Sequence, residues 1–220
     1  MTRIKTLGRS LRRRRDLSAI LRSMDRNLLL SVRHKYAGTP WYDSKHWDVR
    51  SRVAIALDYA YDLGLHRLSG KRILDLGTGC GYFPYVCNYF GHYACGIDVY
   101  VPMYKEVVDA LAIRWQECEI KAFEPLPAPD EPYDLVTATL IFFDRHNTPE
   151  AWGCPEWRFF MEDVASRQLS ENGRLFVVPV VSPETGHAFT PELETMFRDF
   201  GANIQKNRID FHSLDAIRNT

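Results

Sequence analysis

Apolar residues recur along the chain in two different rhythms, and the change falls near residue 70. Before it, Leu17, Ile20, Leu21, Met24 and Leu28 follow helical spacing, which predicts that a polar arm runs into an amphipathic helix. Ser44 to Leu63 reads as a second helix stopped by Gly64, with Val53, Ile55, Ala56, Leu57 and Ala60 on a broad apolar face. Beyond residue 70, short apolar runs alternate with helical periods, as a parallel sheet with crossover helices requires. The runs are 72–76, 93–98, 118–122, 134–141 and 174–181. Residues 81–90 suit a helix that takes Pro84 in its first turn and ends at Gly91. Two further helices are expected, Pro155 to Leu169 and Pro191 to Phe200, the second stopped by Gly201. Ala202 to His212 leaves room for a short hairpin at the sheet edge, and Pro125 to Pro132 is a loop. The expected fold is α/β in three layers: a mostly parallel sheet, helices on both faces, and an N-terminal helical cap. The division expected is a basic arm with a helical, aromatic cap over 1–45 and the main domain over 46–220.

Composition fits that picture: 220 residues, 45% hydrophobic and 25% charged, describe an ordinary globular chain and exclude a collagen-like or disordered one. With 28 basic and 28 acidic residues, no global field recruits nucleic acid, and none is expected as a specific partner. The longest apolar run, Leu135 to Phe143, is far short of the roughly 20 residues of a membrane helix. Five cysteines without a CxxC pair argue against a zinc knuckle or a disulfide framework. Reduced, mostly buried thiols, no metal and a cytoplasmic location are the expectations.

Charge is nevertheless uneven. Arg3, Lys5, Arg9, Arg12, Arg13, Arg14, Arg15, Arg22 and Arg26 face only Asp16 and Asp25 within the first 26 residues. Two readings stand: a solvated arm outside the core, or a patch that makes weak contact with anionic membrane or another polyanion.

The chemistry concentrates in Arg72-Ile-Leu-Asp-Leu-Gly-Thr-Gly-Cys-Gly-Tyr82. A strand that ends in a glycine loop and opens a helix offers backbone amides and a positive helix end to a ligand that meets no side chains. Gly77, Gly79 and Gly81 give the spacing GxGxG, with Tyr82 where a dinucleotide motif carries its last glycine. Asp75, just before the loop, would repel a pyrophosphate but could hold an ammonium group. Asp98 closes the next strand, 21 residues after Gly77, where a carboxylate can accept both hydroxyls of a ribose.

These residues resemble the class I S-adenosylmethionine-dependent methyltransferases, which share a Rossmann-like fold. Asp75-Leu-Gly77-Thr-Gly79-Cys-Gly81 matches the family's acid-x-Gly-x-Gly-x-Gly loop, and Gly96-Ile-Asp98 its ribose-binding strand end. Weaker matches run through Leu126-Pro127, Tyr133 to Val136 and Asn172-Gly173-Arg174, so that the likeness covers about 70–205. The resemblance implies S-adenosyl-L-methionine as cofactor. Its methionine part would lie on Gly77, Thr78, Gly79 and Gly81, its amino-acid end at Asp75, and its ribose at Asp98 beside Val99. Where many members carry an adenine-binding acid, this chain has Ala122, and Phe123 is the candidate apolar wall for the ring.

For the acceptor, the segment after the fourth strand supplies His146 as candidate base and Asp144 as its orienter. Solvent-facing loop roles for both remain an equal alternative. Neither an Asp/Asn-Pro-Pro-Tyr/Phe motif nor a Pro-Cys nucleophile is present, which disfavours adenine, amide-nitrogen and cytosine acceptors. Aromatics at Tyr36, Trp41, Tyr42, His46, Trp47, Phe142, Phe143 and Trp152 are candidates to enclose an acceptor or to fill the core. The expected activity is O-methylation of a small-molecule or glycan-like acceptor. The alternatives are a SAM-binding regulator or scaffold without turnover, and a nicotinamide-binding oxidoreductase.

Overall fold

The computed structural model describes residues 2–42, 44–144, 150–181, 188–214 and 217, and the side chains among them from residue 10 onward. In chain order its helices are α1 (Thr2–Ser23), α2 (Arg26–Tyr36), α3 (Val49–Asp62), α4 (Tyr82–Tyr89), α5 (Pro102–Ala110), α6 (Cys154–Asp163) and α7 (Pro191–Asp199). The strands are β1 (Arg72–Leu76), β2 (Tyr93–Asp98), β3 (Arg114–Glu117), β4 (Tyr133–Ile141), β5 (Leu169–Pro179), β6 (Asn203–Gln205) and β7 (Arg208–Phe211). The chain divides into two compact units. One holds Met1–Gly70, Gly79–Ala94 and Tyr100–Arg114, and the other Lys71–Thr78, Cys95–Val99 and Trp115–Thr220.

The second unit is built on a seven-stranded sheet in the order β3-β2-β1-β4-β5-β7-β6. β1, β4 and β5 run parallel in register, Asp75 opposite Thr137 and Thr137 opposite Phe176, while β7 pairs antiparallel with β5 and β6. Leu74, Leu76, Val136, Ala138, Leu175 and Val177 turn to the face packed against α6 and α7, where Trp157, Phe160, Met161 and Phe197 complete the core. Ile73, Thr137 and Phe176, which alternate with them, are buried too, so these strands are covered on both faces, as parallel strands require. This is the α/β sheet expected from the sequence, and the 202–212 segment forms the expected edge hairpin.

The first unit is helical. Leu17, Ile20 and Leu21 of α1 are buried, and α1 packs on α3. The Arg13 guanidinium donates to the Asp58 carboxylate from Nε and Nη2, and Nη2 also donates to the Ala54 carbonyl at 3.3 Å. Tyr61 Oη donates to the buried Asp16 carboxylate at 2.7 Å, and burial, with Asp16 adding to it, pushes the phenol up to about 12. α2 packs on α5, where Tyr36 and Lys35 both donate to Glu106.

Several expected boundaries shift for local reasons. The arm is not an extension before the first apolar period, because α1 starts at Thr2 and Arg13 is part of its packing. The single helix through Leu28 is two helices: Asp25 accepts the Leu28 N–H at 3.0 Å and caps α2, which leaves Leu28 exposed. Ser44 to Trp47 is a 3-10 turn, and Asp48 starts α3 by accepting the Ser51 N–H at 3.1 Å. The third strand is the polar, largely exposed β3 rather than 118–122. α6 ends at Asp163, a π turn covers Val164–Gln168, and β5 already begins at Leu169. α5 was not anticipated, although Pro102 in its first turn is a start signal. Among the described residues, no helix is long and apolar enough to cross a membrane.

Candidate functional site

In the sheet unit the carboxyl ends of β1, β2 and β4 converge on the start of the glycine loop. Asp75, near the end of β1, is buried, and Thr137 Oγ1 donates to it at 2.7 Å from the adjoining strand. Burial pushes the Asp75 carboxyl up to about 7, the hydroxyls of Thr137 and Thr78 pull it down, and the neighbouring Asp98 charge raises it further.

The loop itself is clamped. Gly77 N–H and Thr78 N–H both donate to the Ile97 carbonyl of β2, at 2.9 and 3.2 Å. These two amides are therefore engaged by the protein rather than left for a ligand. Gly77 has φ +63°, and a Cβ there would stand 2.8 Å from Ile141 Cδ1. Gly96 of β2 lies under the Thr78 side chain, which any Cβ at that position would overlap. Glycine at 77 and 96 is thus what allows β1, β2 and β4 to close around this turn.

Asp98, at the end of β2, is half-buried, and its Oδ1 accepts the Val99 N–H at 2.8 Å. That bond fixes the carboxylate beside the exposed Val99. The Asp98 carbonyl in turn accepts the Cys118 N–H at 2.9 Å, which ties the chain after β3 to the same strand end.

Phe123 follows on that segment. It is 52% exposed, its φ is +60°, and its ring meets Phe159 edge-on at 5.9 Å. A left-handed backbone is a costly arrangement for an aromatic residue. Leu140, near the end of β4, has φ +59° and is also exposed, within an irregularity of the β4–β5 pairing between Thr139 and Ile141.

Sequence reasoning missed Thr137, Leu140 and Ile141. Nothing local announces them, because each matters through the register of β4 against β1 or β5. Gly96 stood in the motif, but its reason, the close approach of Thr78, is tertiary.

The loop continues along the chain into the helical unit. Gly79 has φ +54° with open space where a Cβ would lie, and Gly81 has φ +73° with a Cβ position 3.3 Å from Val108 Cγ2. Gly79 therefore keeps an open surface, while Gly81 is packed. Tyr82 begins α4 and donates to the His46 carbonyl at 2.9 Å. Cys80 and Cys87 are buried thiols, and Cys95, Cys118 and Cys154 are half-buried.

The acceptor-side candidates fare differently. Asp144 is exposed and forms an isolated antiparallel bridge with Ala151; His146 lies outside the described residues. Phe143 and Trp152 are core, 4.8 Å apart by ring centroid and packed against Trp157 and Phe160, so they do not line a rim. Phe142 is exposed. In the helical unit Tyr36 and Trp47 are buried, Trp41 is exposed, and His46 Nε2 lies 3.0 Å from Tyr104 Oη.

Two observations suit the nucleoside part of a cofactor: the oriented Asp98 carboxylate and the exposed Phe123 ring. A polyphosphate suits the site poorly, with two acids at the strand ends and the first two loop amides already bonded.

No protein-family model and no curated protein matches the sequence. Solved structures with a similar chain path include an S-adenosylmethionine-dependent methyltransferase from Mesorhizobium loti, 22% identical over 50% of this chain and 46% of that one, TM-score 0.39. Another is a SAM-dependent methyltransferase from Aquifex aeolicus, 20% identical over 70% and 87% of the two chains, TM-score 0.49. A TehB-like SAM-dependent methyltransferase from Corynebacterium glutamicum is 16% identical over 73% and 98%, TM-score 0.46. This chain spans less than half the length of the Mesorhizobium loti protein that it matches. By its own strand order and strand-turn-helix loop, the chain has the Rossmann-like α/β fold in which such methyltransferases are also built.

Proposed function

We propose that the protein is an S-adenosylmethionine-dependent methyltransferase that methylates a hydroxyl of a small-molecule or glycan-like acceptor in the cytoplasm. The observation that carries the reading is the oriented carboxylate of Asp98 at the end of β2, the strand next to the one that ends in the Gly77 turn. Asp98 would accept the ribose hydroxyls, Phe123 would stack or edge against the adenine, and the motif's later glycines, Gly79 and Gly81, follow along the chain. Asp75 would balance the amino-acid end as a buried acid whose charge an ammonium group favours.

When bound, the cofactor supplies an electrophilic methyl on a sulfonium, whose sulfur keeps the bonding pair and leaves as a thioether. The chain's share of the work is to hold the acceptor oxygen in line and to take its proton. His146 is the proposed base and Asp144 its orienter. The basic stretch of α1 is proposed to make a weak, salt-sensitive contact with anionic membrane.

The test is incubation of the purified protein with methyl-labelled cofactor and fractionated extract. Label should appear in an alkali-stable ether of a small or glycan-like product. His146→Ala should lower that transfer by about 10² to 10⁴ with cofactor binding intact, and Asp144→Asn should lower it less. Retained cofactor with no transfer to any fraction would instead indicate a SAM-binding regulator.

A further inference from the structure

Within the helical unit lies an open cavity of about 300 Å³ that no part of the proposed methyl transfer uses. Its apolar lining comes from the end of α1 and from α2, with Leu21, Met24 and Leu29, and from Trp47 just before α3; all four are buried. Arg26, Arg33 and Arg50 also line it, and all three are exposed. Among the described residues none of these guanidiniums has an ion-pair or hydrogen-bond partner, whereas Arg13 of the same unit is fully engaged with Asp58 and Ala54. The nearest acids in sequence, Asp25 and Asp48, are occupied in capping α2 and α3.

We infer that this cavity binds a single-chain alkyl phosphate, the tail on Leu21, Met24, Leu29 and Trp47 and the phosphate among Arg26, Arg33 and Arg50. The volume is at the lower end of ligand pockets, roughly 300–1,000 Å³, which suits one alkyl chain. Three guanidiniums match a headgroup that carries close to two charges and several acceptor oxygens, more than a carboxylate presents. The inference rests on no part of the cofactor reading, so either can fail without the other.

The experiment is a calorimetric titration of the full chain with decyl phosphate below the concentration at which it forms micelles. One saturable site is expected. Decanol, which lacks the charge, and inorganic phosphate, which lacks the tail, should each bind at least about tenfold more weakly. The variant Arg26→Gln/Arg33→Gln/Arg50→Gln should lose affinity by a similar factor while its melting temperature stays within a few degrees of wild type. Should that variant fold poorly, Leu30→Glu, at an exposed position that also lines the cavity, should weaken binding by repulsion. No saturable binding, equal binding of decanol, or unchanged affinity in both variants overturns the inference. Binding to phosphatidylglycerol vesicles without binding of monomeric decyl phosphate overturns it too, since the arginines would then be a membrane patch and the cavity incidental.

Discussion

Thr137 and Asp75 stand opposite each other on β4 and β1, and the Thr137 hydroxyl donates a 2.7 Å hydrogen bond to the Asp75 carboxyl. The Thr137 and Thr78 hydroxyls compensate only in part for a carboxylate removed from water, and burial holds its pKa up at about 7. Since the folded value lies above the unfolded value of about 3.9, the folded state binds this proton more tightly. The stability so gained is fully present below pH 4 and is lost as pH rises towards and through 7. Asp75→Asn, which cannot ionise, should therefore melt close to wild type at pH 4.5 and above it at pH 8. Melting temperatures of both proteins across that range check this; a gap that stays constant with pH means that Asp75 does not titrate as described.

Gly77 offers a second test. Gly77→Ala meets two separate penalties, a left-handed φ worth about 1–2 kcal/mol for a residue with a Cβ and overlap with Ile141 Cδ1. Together they should destabilise by about 2–3 kcal/mol. Ile141→Ala in the same chain removes the overlap and leaves the φ penalty, so a double-mutant cycle by urea unfolding should show a favourable coupling of about 1 kcal/mol. Simple additivity of the two substitutions would contradict the packing of Ile141 on the turn.

Shortening α1 has a definite consequence. Removing residues 1–15 takes away Arg13 and with it the contacts to Asp58 and Ala54. Both side chains of the pair are partly exposed, so after allowance for solvent screening the loss is about 0.5–1.5 kcal/mol. Arg13→Ala alone should reproduce most of it. Wild-type stability in both the truncated protein and Arg13→Ala would show that α1 contributes through its apolar face only.

How far the sequence could be read follows from how local each feature is. The Gly77 turn and the Asp98 strand end were legible because a strand, a tight turn and a helix are consecutive in the chain and each leaves its own signal. β3 was misplaced because an exposed edge strand needs no apolar alternation: Arg114, Gln116 and Glu117 serve as well as Cys118 and Ile120 would have. The helix break at Asp25 was hidden by apolar residues that keep helical spacing across it, although Asp25 is itself a capping residue. Phe143 and Trp152 show the converse, since an aromatic beside a motif looks the same in sequence whether it lines a rim or fills the core. The Asp75–Thr137 bond, the Ile141 contact and the backbone of Phe123 depend on strand register and long-range packing, which a single sequence does not display.

The central claim is that this fold holds S-adenosylmethionine through a carboxylate at the end of β2. Calorimetric titration of S-adenosylhomocysteine into wild type and Asp98→Ala, with circular dichroism to confirm that both are folded, tests it most directly. Wild type should show one site, and the variant should bind about 10- to 100-fold more weakly, as expected when two ribose hydroxyls lose a charged acceptor worth about 1.5–3 kcal/mol. No binding to wild type, or the same affinity in the variant, would contradict the account.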